Sequence, residues 1–105
     1  MQKLILIMSS FLLFSVTSLQ ADPDKGQRYF TKKLKKVCDL TGAEFAELHT
    51  QEQWKEIHSK ENGIITEIKK VCPKVRDSAL KDKYIEHYFD FFYHYGNDSG
   101  NIPSC

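Results

Sequence analysis

The sequence predicts an all-α fold of four to five short helices. Apolar residues recur three and four positions apart along most of the chain, which is the spacing of one face of a helix. Pairs of the type Ser/Thr-x-x-Glu/Gln, which start helices, precede two of these stretches. No stretch of useful length alternates apolar and polar residues as a strand would.

The first predicted helix begins at Asp22. An acid that caps the helix, Pro23 in the first turn and a second acid, Asp24, near the positive helix end are typical of a helix start. Lysines separate the apolar residues that follow at helical spacing. The expected apolar face of this helix consists of Phe30, Leu34, Val37 and Cys38.

Two short helices are predicted next, and each follows a capping pair. Thr41 lies three residues before Glu44, and Thr50 lies three residues before Gln53, so side chain and backbone can cap each helix reciprocally. Asn62-Gly63 is expected to end the second of these helices. Their expected apolar residues are Phe45 and Leu48 in the first, and Trp54, Ile57 and His58 in the second.

The two remaining predicted helices are the most apolar. One carries a stripe that Pro73 stops, and the last begins near Asp77-Ser78 and ends at Gly96. The stripe of the first consists of Ile64, Ile65, Ile68 and Val71. The last helix has Leu80, Tyr84, Tyr88, Phe91 and Tyr95 on one face and Ile85, Phe89 and Phe92 on the other. Because it is apolar nearly all round, we expect it at the centre of the fold.

These helix faces predict a core of aromatic and aliphatic side chains. An alternative for the aromatic residues is an apolar groove that binds a peptide or a small ligand. The expected core residues are Phe30, Leu34, Trp54, Tyr84, Tyr88 and Phe91.

Residues 1–21 have the organisation of a secretory signal peptide. Lys3 supplies a positive charge, an apolar run of roughly 13 residues ends at Val16, and the small residue Ala21 precedes the charged residue Asp22. The run is shorter than the about 20 residues of a membrane-spanning helix, so no stable membrane insertion is expected after cleavage. The expected location is periplasmic or secreted.

Residues 22–105 are expected to form a single small helical domain, with a turn-rich tail at 97–105. Export permits a disulfide, which adds stability that a small core lacks. We expect a Cys38–Cys72 bridge, since each of these cysteines closes an amphipathic helix beside an apolar neighbour, with Cys105 free or bonded between molecules. The alternatives join Cys38 or Cys72 to Cys105.

The charge of the domain is balanced overall and uneven along the chain. The 14 acidic residues face 14 of the 15 basic ones once Lys3 is set aside, which argues against a nucleic-acid binder. Basic residues crowd the first helix, and the last part of the chain is acidic. The two ends could attract each other, or the basic end could bind an acidic partner. The crowded basic residues are Lys25, Arg28, Lys32, Lys33, Lys35 and Lys36.

No catalytic signature is present, so an enzyme is not predicted. His87, Asp90 and His94 lie three and four residues apart and could form a metal or ligand site on one helix face. The simpler interpretation is that Asp90 pairs with His94 at the surface while His87 faces solvent.

Part of the chain resembles the small class I c-type cytochromes. Gly26-Gln27-Arg28-Tyr29-Phe30, then Cys38, then Thr41-Gly42 look like the first helix and haem loop of that family. The resemblance implies that the first and last helices cross, with Phe30 and Leu34 meeting the aromatic residues of the last helix. The chain is also similar to short exported proteins, often described as cytochrome-like, that share His49-Thr50-Gln51-x-x-Trp54 and the stretch from Asp98 to Cys105.

The haem-attachment box of that family, Cys-x-x-Cys-His, is incomplete here. Aligning Cys38 with its second cysteine puts Lys35 and Asp39 at the positions of the first cysteine and the histidine. Aligning Cys38 with the first puts Thr41 and Gly42 there. Either alignment lacks a thioether and the axial ligand, so no covalent haem is expected.

The sequence therefore predicts a small soluble exported accessory or interaction protein, related to the cytochrome c fold, that binds an unidentified envelope protein and no cofactor. The alternative is a periplasmic electron-transfer protein, or a haem or metal binder, that uses non-covalent ligation through His87 or His94. A Soret band in protein purified from the export compartment would favour the alternative.

Overall fold

The computed structural model describes residues 22–103, and these residues form six α-helices, one 3-10 helix and no strand. The all-α class is thus confirmed. The predicted signal peptide, 1–21, and Cys105 lie outside the described residues. The helices are α1 (Pro23–Lys33), α2 (Lys35–Cys38), α3 (Gly42–Ala46), α4 (Gln51–Ser59), α5 (Gly63–Val71) and α6 (Asp82–His94), with the 3-10 helix at Asp77–Leu80.

Several helix boundaries differ from the sequence-based expectation. The first predicted helix is divided at Leu34, whose backbone departs from helical geometry (φ −119°, ψ −33°). The last begins at Asp82 because Lys81 has an extended backbone (φ −68°, ψ 151°). α4 ends at Ser59, before the expected Asn62, because its C-cap Lys60 is extended. Asn62 is instead the N-cap of α5, in the left-handed conformation (φ 55°).

The contact between α1 and α6 is the largest between helices in the described fold. Gly26 makes it close: a Cβ atom added there would lie 2.7 Å from Cβ of Phe91 and would also clash with the carbonyl group of His87. The first and last helices therefore pack with their backbones near one another.

The core is a cluster of aromatic rings between these helices and α3 and α4. Phe92 is at its centre, with ring centroids 4.8 Å from Phe45 and 4.6 Å from Trp54, both stacked. Of the six residues expected in the core, Phe30, Leu34, Trp54, Tyr88 and Phe91 are fully buried, and Tyr84 is partly buried.

The polar atoms of the buried aromatic residues have backbone partners. Nε1 of Trp54 donates to the carbonyl oxygen of Ala46 at 2.8 Å. The hydroxyl of Tyr88 donates to the carbonyl oxygen of Ala79, also at 2.8 Å. Burial raises the pKa of the Tyr88 hydroxyl, with smaller contributions from Tyr84 and Tyr29 in the same direction. Tyr88 is therefore a neutral hydrogen-bond donor at physiological pH.

The predicted Cys38–Cys72 disulfide is present, with the two Cα atoms 5.0 Å apart. It joins the end of α2 to the residue that follows α5, and Cys72 is buried. This bond answers the question that the sequence left open, because neither of these cysteines is then available for Cys105.

Several side chains lie elsewhere than the helix patterns indicated. Leu48 and Val37 are exposed, at 44% and 37%: Leu48 lies beyond the end of α3, whereas Val37 lies within α2 and lines an open groove. The start of the tail is folded onto the domain: Pro103 is buried, and Nδ2 of Asn101 donates to the carbonyl oxygen of His94 at 3.0 Å.

Candidate functional site

The two histidines of the predicted His87–Asp90–His94 site make other contacts in the structure. Nδ1 of His87 accepts a hydrogen bond from the backbone N–H of Asp22 at 3.2 Å, which ties the start of α1 to α6. His94 is exposed, and its ring meets Tyr95 edge-on, with centroids 4.7 Å apart. Among residues 22–103, no group of three His, Cys, Asp or Glu side chains is arranged to hold a metal ion.

Asp90 lies partly buried between these histidines. Burial raises the pKa of its carboxyl group above the usual value, and the carboxylates of Asp22 and Glu86 act in the same direction. His94 and His87 oppose this rise. Burial therefore makes the charged form of Asp90, which a cation ligand would need, less favourable than in an exposed aspartate.

The described residues do not fit haem that is attached at Cys38 or buried between the helices. The sulfur of Cys38 is bonded to Cys72, so it is not available for a thioether. The rings of Phe45, Trp54 and Phe92 fill the interior between the helices. His49 and His58 have carboxylate partners, at 2.9 Å from Glu67 and 3.0 Å from Glu86 respectively.

The segment that begins at His49 and the segment around Asp98 meet in one polar cluster. Oδ1 of Asp98 accepts the backbone N–H of Gln51 at 2.9 Å, at the first residue of α4. The side-chain amide of Gln51 donates to the carbonyl oxygen of Tyr93 at 2.9 Å, and the backbone N–H of Asn97 donates to that of His49 at 3.0 Å. These contacts cap α4 and fix the end of α6, which is a structural role.

A groove of about 540 Å³ beside α1 and α2 has several cations and no acid among the described residues of its lining. We call it the basic groove. Lys33 and Tyr84 lie at its edge against α6. Its lining contains five cations, Lys32, Lys33, Lys36, Arg76 and Lys81, together with Val37, Ser78, Ala79 and Tyr84.

The local structure explains why the cations form two walls. The helix is nearly continuous through Leu34, whose N–H donates to the carbonyl oxygen of Phe30 at 2.8 Å, so Lys32 and Lys36 lie about one turn apart on one side. The opposite wall comes from the extended residues that flank the 3-10 helix, Arg76 and Lys81.

The cations of the basic groove have no carboxylate partner among residues 22–103. The lysine that does form an ion pair there is Lys69, at 3.3 Å from Asp77 and outside the groove. Asp82, next to Lys81 in sequence, instead lines a small separate pocket beside His58. The positive charge of the groove is thus not neutralised locally.

Tyr84 responds to this charge. Nζ of Lys33 lies 4.6 Å from the centre of its ring, and Nζ of Lys83 lies 5.2 Å from it. The hydrogen bond with Lys33 lowers the pKa of the Tyr84 hydroxyl; burial opposes this, and the charges of Lys33 and Lys83 add to the lowering.

Lys32 and Lys36 also line a second open pocket, of about 650 Å³, on the other side of α1 and α2. That pocket contains the carboxylates of Asp39 and Glu44, so its charge is mixed. The two lysines form a ridge between the pockets, and the basic groove is the side without acids.

Sequence reasoning identified one wall of the basic groove and missed the other. The lysines of the first helix stood out as a cluster. Arg76 and Lys81, however, are separated from them in sequence by α3, α4 and α5. Basic residues also recur at positions 74, 76, 81 and 83, and this second cluster was the signal that could have indicated the opposite wall.

Comparison with known proteins gives no match: no family model, no curated protein and no solved structure is significantly similar to this chain. Within residues 22–103, no helix has the length and apolar character needed to cross a membrane. The resemblance to the cytochromes therefore stays an expectation that rests on the residues named above, and function has to be argued from the site.

Proposed function

We propose that this protein is a small exported domain that acts by binding another protein of the cell envelope rather than by catalysis. The binding surface is the basic face of α1 and α2, and the partner presents an acidic surface to it. The observation that carries this proposal is the basic groove, whose five cations lack a carboxylate partner among the described residues.

The disulfide supports the location. Disulfides form and persist in oxidising compartments outside the cytoplasm, and Cys38–Cys72 joins helix ends that are distant in sequence. It agrees with the signal peptide expected at residues 1–21, which would direct the chain there.

A binding role agrees with the chemistry of the reactive side chains. Both cysteines in the described region are in the disulfide, and His49, His58 and His87 have hydrogen-bond partners that hold their rings in place. Lysines on an exposed surface attract acidic partners and accelerate their association.

The test is capture of the partner from the native export compartment, by cross-linking the tagged protein there and identifying what is bound. Lys32→Gln with Lys36→Gln removes two charges from the ridge, and Lys55→Gln with Lys70→Gln removes two exposed charges from α4 and α5 as a matched control. We expect the first pair to abolish capture and the control pair to retain it.

Purified partner then provides the quantitative measurement. Its complex with the wild-type protein should weaken as salt rises, because exposed charges are screened. Capture that survives the Lys32/Lys36 pair, or that both pairs reduce equally, would contradict the proposed surface.

A further inference from the structure

We propose that the basic groove binds an extended acidic peptide segment of the partner, whose carboxylates lie between Lys32 and Lys36 on one wall and Arg76 and Lys81 on the other. This inference rests on the proposed function and names the chemistry of what the groove receives.

The spacing of the cations suits an extended chain. Side chains three and four residues apart on a helix are about 5–6 Å apart at Cβ. In an extended peptide, side chains on one side recur every second residue, at about 7 Å. Flexible lysine stems absorb the difference, so alternate carboxylates of such a segment reach Lys32 and Lys36 in turn.

The opposite wall differs in chemistry. The guanidinium of Arg76 can bind a carboxylate through two parallel hydrogen bonds, whereas Lys81 offers a point charge. An extended segment between the two walls can then use carboxylates on both of its sides.

The remaining lining residues favour a peptide over a fully charged ligand. Val37 is exposed at 37%, and the ring of Tyr84 at the edge of the groove is partly buried, so the lining includes apolar surface beside the cations. Ser78 adds a hydroxyl group, a neutral hydrogen-bond partner for a peptide backbone. Mixed apolar, neutral polar and cationic surface matches alternating acidic and small side chains.

The shape disfavours a membrane surface as the occupant. Peripheral binding to a bilayer is strengthened by apolar side chains that protrude into the headgroup region beside the basic residues. The basic groove is concave, and Val37 is the aliphatic residue of its lining that exceeds one-third exposure.

The test uses the exported protein with its disulfide intact and a short fluorescent peptide of alternating Glu and Ala. We expect saturable binding by fluorescence anisotropy, and none for the same peptide with Gln in place of Glu. Arg76→Gln with Lys81→Gln should weaken binding about three- to tenfold, as expected for two exposed ion pairs. The Lys55→Gln/Lys70→Gln control should bind as the wild type does, and circular dichroism verifies that each variant is folded.

A second readout follows the site itself. A carboxylate placed among these cations raises the pKa of the Tyr84 hydroxyl, because the added negative charge opposes loss of the proton. The absorbance of tyrosinate, titrated with and without peptide, measures this, and Tyr84→Phe identifies which tyrosine responds.

Three results would overturn the inference. Equal binding of the Glu and Gln peptides would exclude charge recognition. Binding of inorganic phosphate or of phosphatidylglycerol vesicles without binding of the peptide would assign the groove to a phosphate group. Peptide binding that is lost in Lys32→Gln/Lys36→Gln but unchanged in Arg76→Gln/Lys81→Gln would exclude the two-walled groove, while the proposed α1–α2 surface would stand.

Discussion

At the scale of single residues, Gly26 sets how closely the first and last helices approach. No side chain fits there, because a Cβ atom would meet Phe91 and the carbonyl group of His87. We predict that Gly26→Ala destabilises the protein by about 1–3 kcal/mol, the usual cost of overpacking, even though alanine favours a helix. Chemical denaturation measures this loss.

Thr31→Ala is the control, since Thr31 is exposed on the same helix. Its effect on the free energy of unfolding should stay within about 0.5 kcal/mol. A Gly26→Ala protein as stable as this control would show that α1 and α6 are farther apart.

The raised pKa of Asp90 predicts that the stability of the protein depends on pH. Its pKa is raised in the folded state, mainly by burial, so the folded protein holds this proton more tightly than the unfolded chain does. Stability therefore falls as pH rises from the ordinary aspartate pKa to the raised one, and the penalty persists above that. Asp90→Asn removes the charge, so we expect it to raise the free energy of unfolding at neutral pH.

The expected gain is less than about 1 kcal/mol, because solvent screens a partly exposed carboxylate. It should disappear near and below the ordinary aspartate pKa, about 3.9. Denaturation curves at several pH values measure it, with the exposed Glu56→Gln on α4 as control. A variant that is less stable than the wild type at neutral pH would contradict the sign.

At the scale of the elements, α6 is decisive because it presents apolar residues to several helices at once. The helical pattern placed Phe89 and Phe92 together on its second side. The structure separates them: Phe92 is fully buried in the aromatic stack, whereas Phe89 is partly buried and stacks on His58 with centroids 3.8 Å apart.

This difference gives a paired test. Phe92→Ala should cost about 3–5 kcal/mol, since it removes the ring that Phe45 and Trp54 stack upon and leaves a cavity. Phe89→Ala should cost clearly less, because its ring is partly in solvent already. Thermal unfolding of the two variants compares them, and equal losses would mean that the stack is not the centre of the core.

At the scale of the whole molecule, the disulfide links the end of α2 to the residue that follows α5. It joins residues 34 positions apart and so restricts the unfolded chain. In the chain-entropy model, a loop of this length adds about 3–4 kcal/mol, a large share of the stability of a small domain.

We therefore predict that Cys38→Ser with Cys72→Ser lowers the denaturation midpoint strongly, and that reducing the wild-type protein does the same. Cys105→Ser is the control and should leave the stability of the monomer unchanged. Peptide mapping without reduction identifies the bond directly, and a recovered peptide joining Cys105 to either helix would contradict the pairing.

The sequence by itself predicted the all-α class and the caps of two short helices, although it missed the break at Leu34 and the start of the last helix at Asp82. The capping pairs at Thr41 and Thr50 are present as predicted, each with its two hydrogen bonds at 2.9–3.1 Å, because a cap involves residues three positions apart. The disulfide could be predicted for a related reason, since both cysteines close apolar helix faces.

Tertiary structure alone decided the rest, because it depends on which helix faces meet. It exposed Leu48 and Val37, buried Phe92 at the centre, and brought Gln51 to Asp98 from 47 positions away. The basic groove also depends on tertiary structure. Its two walls come from segments distant in the chain, and no local pattern specifies that they face each other. The sequence therefore predicted the cations of the first helix, which form one wall of the candidate site. The opposite wall could be identified only from the tertiary structure.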